Sequence, residues 1–344
     1  MSASASLSIS ARATRTSRTR RATTRASRSV VVRAADYAPK NAFFFPGQGA
    51  QKVGMAKELC EECPAAKAMF DKASEVLGYD LLDVCVNGPA EKLNSTAVSQ
   101  PAIYVSSLAA LEKMKMTPEG KAAIDAVDVV AGLSLGEYTA LTFADALSFE
   151  DGLKLVKIRG ESMQAAADAT PSGMASVIGL SAEKAEELAA RAAELSGEPC
   201  SVANYLCNGN YALSGAIPAI DKAEEIAKPE FKARMLVRLA VAGAFHTDFM
   251  APAAEQLKAA LDATDMKEPR IPVVSNVDVK PHTDAASIRT TLAKQLTNPV
   301  QWETTMTTLL GKGLEAATEV GPGAVISGIM KRVDKSFKCE NFTV

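Results

Sequence analysis

A serine between two glycines, Gly132-Leu133-Ser134-Leu135-Gly136, stands between a short β-branched apolar run (126–131) and a helix-like run (137–144). The first run reads as a buried strand and the second as a helix. A serine on such a tight strand-to-helix turn is lifted clear of the sheet, and glycines on either side permit the strained backbone. The N–H of the next residue then points to where an oxyanion forms when the serine attacks a carbonyl. The segment predicts an α/β fold and marks Ser134 as a candidate acyl-accepting nucleophile. Alone, Gly-x-Ser-x-Gly is a moderately specific motif, so the rest of the chain has to carry its share.

The chain has 344 residues, 47% of them apolar and 23% charged, enough for a large buried core and a smaller second one. No apolar stretch reaches the roughly 18 residues of a membrane span. Residues 1–35 differ from the rest: they hold eight arginines and no acid, among many serines, threonines and alanines. Without an apolar core this is no secretory signal; it reads as an organelle transit peptide over 1–36, and its hydroxylated residues favour a chloroplast. A nucleic-acid-binding basic tail is the alternative, but interleaved aromatics are missing. The net charge of −2 becomes −10 once the eight leader arginines are removed. An acidic mature protein argues against nucleic acid and anionic membranes as partners. Six cysteines include Cys60-Glu61-Glu62-Cys63, read as two thiols on one helix face with a regulatory disulfide as the sharper alternative. No second pair completes a metal site.

Residues 42–45 predict a strand that breaks into Pro46-Gly47-Gln48-Gly49, a turn lacking the spacing of a nucleotide cradle. Helices are expected over 55–78, 99–116 and 150–168, with a polar connection over 95–101. From 172 the rhythm changes to β-α-β-β-α-β, a ferredoxin-like pattern. The expected organisation is a large parallel-sheet domain over 40–171 and 241–344, interrupted by a small domain over 172–240. Further strands are expected at 271–275 and 317–320, and Asn298-Pro299 has the form of an N-cap followed by proline. A parallel sheet puts its site at the carboxyl ends of its strands. The nucleophile needs a base, and the chain has two histidines. His282, in a polar stretch, reads as a surface loop residue; His246, where the chain returns from the small domain, reads as the base. No carboxylate declares itself as the group that orients the imidazole.

Several separated motifs then agree. Phe45-Pro46-Gly47-Gln48-Gly49-Ala50-Gln51, Gly132 to Glu137, Ile158-Arg159-Gly160, Ala244-Phe245-His246, Gln295 with Asn298-Pro299-Val300-Gln301-Trp302, and Glu319-Val320-Gly321-Pro322-Gly323 resemble, in order and spacing, the malonyl-CoA:acyl-carrier-protein transacylases over about residues 42–333. The resemblance implies an α/β-hydrolase-like large domain with a ferredoxin-like insertion. It implies Ser134 as nucleophile, His246 as base, Arg159 holding the substrate's free carboxylate, and the N–H groups of Gln48 and Leu135 as the oxyanion hole. It also implies that Gln295 orients His246 through its main-chain carbonyl, and that Phe245 selects malonyl over methylmalonyl. Malonyl-CoA and holo acyl carrier protein are the implied partners, with no metal or cofactor and a monomeric enzyme. One departure is that the family carries histidine before the nucleophile, where this chain has Leu133; a secondary hydrogen bond near the serine is expected to be missing. A serine hydrolase, a polyketide acyltransferase and a non-catalytic carrier-binding scaffold are the competing readings.

Overall fold

The computed structural model describes Met1 and residues 37–344; apart from Met1, the leader expected at 1–36 lies outside the described residues. In chain order the strands are β1 (Asn41–Phe45), β2 (Val129–Gly132), β3 (Ser172–Ile178), β4 (Cys200–Cys207), β5 (Asn210–Ala216), β6 (Met235–Arg238), β7 (Val273–Val274), β8 (Ala316–Val320) and β9 (Cys339–Phe342). Five of them form an all-parallel sheet in the order β7-β2-β1-β8-β9. Buried on both faces, its central strands are almost uniformly apolar, as Ala42-Phe43-Phe44-Phe45 and Val129-Val130-Ala131 illustrate. The register aligns Phe45 with Gly132 and Ala131 with Val274, so the loops leaving β1, β2 and β7 emerge side by side at one edge.

The other four strands form an antiparallel sheet in the order β4-β5-β3-β6. With helices Ala182–Ser196 and Ile217–Ala227 between them, they follow the expected β-α-β-β-α-β sequence. Both sheets lie in one compact unit. They are stitched together where Val300 exchanges backbone hydrogen bonds with Ala203 and Tyr205 of β4. No helix of the described residues is long and apolar enough to cross a membrane.

Local details depart from the expectations in four places. The polar connection at 95–101 is helical: Thr96–Met114 is one helix with Pro101 inside it, buried from Ser99 to Leu111 and packed against helix Phe149–Ala169. Burial there outweighs the proline's lost N–H. The helix expected over 55–78 is two, Lys57–Glu62 and Pro64–Leu77, because Cys63 turns extended ahead of Pro64. Cys60 and Cys63 therefore do not share a helix face, and all six cysteines are free thiols. Asn298-Pro299 starts no helix. The next one begins at Trp302, since Val300 is drawn out to bridge β4, and Asn298 instead donates to the Lys294 carbonyl at the end of the preceding helix. Finally, His282 is buried rather than in an exposed loop.

Candidate active site

Ser134 sits at the tip of the β2 turn with φ +52°, a left-handed conformation that costs an L-residue about 1–2 kcal/mol. The turn is possible because its flanks have no side chains. A Cβ on Gly132 would lie 1.9 Å from the Gly136 carbonyl, and one on Gly136 would lie 2.1 Å from the Phe45 carbonyl oxygen. The Ser134 amide donates to Asn276 Oδ1 at 2.6 Å, and Asn276 Nδ2 donates to the Gly132 carbonyl at 2.7 Å, so the turn is clamped from the end of β7. Leu133, at the family's histidine position, packs into the core around Phe44, Val300 and Trp302. Helix Gly136–Phe143 starts immediately beyond the serine.

His246 reaches the serine from the other side of the cleft. Its segment is gripped by the antiparallel sheet: the Ala244 amide donates to Ser172 Oγ at 3.0 Å, and Ser214 Oγ donates to the Phe245 carbonyl at 2.8 Å. His246 Nε2 is 2.9 Å from Ser134 Oγ, and Nδ1 is 2.8 Å from the main-chain oxygen of Gln295. A carbonyl can only accept, so Nδ1 carries the proton and Nε2 is free to take one from the serine. Gln295 is the last residue of helix Ala285–Gln295, and its carbonyl is one of those a helix end leaves unpaired. The helix C-terminus thus serves where a carboxylate would stand in a serine protease triad, with its dipole favouring an imidazolium. Burial, reinforced by the Arg159 charge, pulls the His246 imidazole from 6.5 down to about 4, against the opposing pull of backbone hydrogen bonds at Gln295 and Asn298.

Arg159, on helix Phe149–Ala169, is 1% exposed. One Nη2 spans Ser134 Oγ at 2.9 Å and Gln295 Oε1 at 3.0 Å, while Nη1 donates to Gln100 Oε1 at 2.5 Å. The guanidinium also stacks over Tyr138 at 5.5 Å, and among the described residues Nε has no acceptor. All of these hydrogen-bond partners are neutral, and burial holds the group below its usual pKa. Among the described residues no carboxylate hydrogen-bonds this buried cation, which touches the nucleophile and meets Glu137 only through space; such a group can take an anion.

The Gln48 and Leu135 amides flank the serine turn, and among the described residues neither donates to a protein acceptor. Gly47 lets their loops meet, since a Cβ there would lie 2.3 Å from the Leu133 carbonyl oxygen. The Gln48 side chain turns away to Thr96. A cleft of about 640 Å³ opens at His246, bounded by Thr170, Cys200, Ser214, Thr247, Phe249 and Pro299. Phe245 is 5% exposed and packs into the larger core beside this cleft. Gln100 and Asn276 were not singled out from the sequence, Glu137 entered only as the last residue of the serine motif, and His282 was read as a surface loop residue. Asn276 ends the β7 segment and Glu137 directly follows the serine turn, so both lie where a parallel sheet gathers its site; nothing local marks Gln100 or His282.

The acyl transferase domain family matches residues 42–342. A malonyl CoA-acyl carrier protein transacylase of Bacillus subtilis is 42% identical over 302 residues, covering 87% of this chain and 92% of its own length. The chain belongs to the malonyl-CoA–acyl carrier protein transacylases. A probable mitochondrial transacylase of this kind from Drosophila melanogaster is 41% identical over 310 residues, covering 87% of this chain and 81% of its own. Among solved structures, a malonyl-transacylase in complex with its type II PKS acyl-carrier protein superposes with a TM-score of 0.82 at 34% identity, covering 88% of this chain and 95% of that one. The shared fold of these transacylases is the parallel sheet with its smaller antiparallel companion.

Proposed function

We propose that this chain transfers the malonyl group of malonyl-CoA to the phosphopantetheine thiol of acyl carrier protein through a malonyl ester on Ser134, supplying fatty acid synthesis. The observation that carries this reading is Arg159, a buried cation with neutral partners 2.9 Å from the nucleophile. A malonyl group is short, so once its thioester carbon is on Ser134 its free carboxylate must find a cation within a few ångströms. A planar guanidinium takes that carboxylate through two parallel hydrogen bonds. An esterase acting on neutral esters has no use for such a group.

Ser134 Oγ attacks the thioester carbonyl as its proton passes to His246 Nε2. The Gln48 and Leu135 amides stabilise the oxyanion, each worth roughly 3–4 kcal/mol in the transition state. The C–S bond breaks, His246 returns the proton to the departing CoA sulfur, and malonyl remains on the serine. The carrier thiol then gives its proton to His246 and attacks the ester, and Ser134 recovers its proton as malonyl leaves. This is ping-pong chemistry through a covalent intermediate. Phe245, packed beside the base, crowds an added methyl on the substrate.

The rest of the molecule suits this role. Residues 172–240 form the small inserted domain, which lends Cys200 and Ser214 to one wall of the cleft. A groove of about 460 Å³ at the Ile178 and Gly209 end of the small sheet, away from the cleft, carries Arg234, Lys331, Arg332 and Lys335; on a chain of net negative charge it is a basic patch to which an acidic carrier would be drawn. The enzyme works as a monomer in the chloroplast, directed there by residues 1–36. Intact-protein mass after mixing with malonyl-CoA tests the reading. One malonyl unit should appear on the wild type and none on Ser134→Ala; equal labelling of both would overturn it.

A further inference from the structure

Behind the serine turn lies a polar cluster that the transfer chemistry leaves unused. Glu137 is fully buried. Its Oε2 accepts from the Asn276 amide at 3.1 Å and from Gln295 Nε2 at 2.7 Å, while its Oε1 lies 2.7 Å from His282 Nε2. Both Oε2 donors also hold the reacting groups. Asn276 Oδ1 takes the Ser134 amide, Gln295 Nε2 also donates to the Ser134 carbonyl at 3.0 Å, and the Gln295 carbonyl orients His246. The carboxylate therefore stands one residue away from the nucleophile and one from the base.

A carboxylate taken fully out of water holds its place only when donors satisfy both oxygens. Among the described residues, His282 is the one side chain donating to Oε1. Its backbone is built for this: the His282 amide donates to the Val273 carbonyl at 2.9 Å, and Pro281 bridges to Val274, so β7 carries the ring inward. The His282 and Glu137 side chains are 2% and 0% exposed. An ionised carboxylate only accepts, so Nε2 must carry the proton.

We infer that His282 is a positioning residue for malonyl transfer: by donating from Nε2 to Glu137 it fixes the carboxylate that holds Asn276 and Gln295, and through them Ser134 and His246. The inference rests on the function proposed above for Ser134. Displacing a reacting group by about 1 Å can lower a rate roughly 100-fold without touching substrate contacts, so the effect belongs in the acylation rate and not in KM.

Two measurements on the full chain test it. With two histidines in the sequence, ring ¹⁵N NMR resolves both, and under the conditions of the activity assay the proton donated to Glu137 should sit on His282 Nε2; an unprotonated Nε2 overturns the inference. In kinetics, His282→Gln sets an amide nitrogen near the place of Nε2, whereas His282→Asn stops short of Glu137. The Asn variant should acylate Ser134 about 10–100-fold more slowly, with KM for malonyl-CoA within about twofold, and the Gln variant should recover to within about threefold of wild type. A folded Asn variant with wild-type rates, equal losses in both variants, or a loss confined to KM overturns it. If the Asn variant does not fold, the NMR result on the wild type decides. A wild type that forms no malonyl-enzyme would instead sink the reading of Ser134 and leave the NMR outcome standing.

Discussion

The proposed carboxylate clamp rests on Arg159. Among the described residues no other cation touches Ser134, so its removal leaves the malonyl carboxylate unpaired, and breaking a buried charged pair of this kind costs about 3–5 kcal/mol. Arg159→Ala should lower kcat/KM for malonyl-CoA roughly 100-fold or more while changing hydrolysis of a neutral activated ester only slightly. Parallel losses on both substrates would contradict the clamp. His246 makes a second prediction. With its pKa held at about 4, the imidazole stays neutral, and so remains a base, well below pH 6.5. Acylation by the free enzyme should therefore be nearly as fast at pH 5 as at pH 7, where an unshifted histidine would have lost about thirtyfold. The same depression means that the unfolded chain takes up a proton the native state refuses, so stability falls as pH drops from 6.5 toward 4. Kinetics of malonyl-enzyme formation from pH 4 to 8 check the first point and thermal melts the second. For Phe245, one methyl is worth about 1–3 kcal/mol; Phe245→Ala should shift the malonyl-to-methylmalonyl preference by about 5–150-fold, and an unchanged ratio removes the ring from selectivity.

At the scale of elements, the site depends on loops that touch backbone to backbone. A Cβ on Gly136 would strike the Phe45 carbonyl and one on Gly47 the Leu133 carbonyl. Gly136→Ala should cost about 1–3 kcal/mol or more in stability, read as a drop in melting temperature. Gly47→Ala should spare the sheet and slow transfer by moving the Gln48 amide. The same contacts explain what could be read from sequence. The serine turn was legible because strand, glycines and helix are all local, and the β-α-β-β-α-β segment because its periodicity changes sharply at residue 172. His282 was misread because local polarity says nothing of a buried carboxylate 145 residues away in the chain. Asn298 was misread because the pull of β4 on Val300 is a tertiary effect. The terminal strand β9 is set by pairing with β8, which no short window contains.

Over the whole molecule, the proposed carrier encounter can be tested through charge. Arg234 and the helix-borne Lys331 and Arg332 form a basic groove on a chain of net negative charge, so carrier binding should weaken with salt while KM for malonyl-CoA moves less. Replacing Lys331 and Arg332 by glutamate should raise KM for the carrier alone; unchanged carrier kinetics would place docking elsewhere. A fluorescent protein fused behind residues 1–36 should enter plastids, and a mitochondrial or cytosolic signal would correct that assignment. The most direct test of the central claim is to isolate the chain after reaction with malonyl-CoA and add holo acyl carrier protein. The account predicts that one malonyl unit leaves Ser134 and appears on the carrier thiol; malonate released to water, with the carrier unmodified, would contradict it.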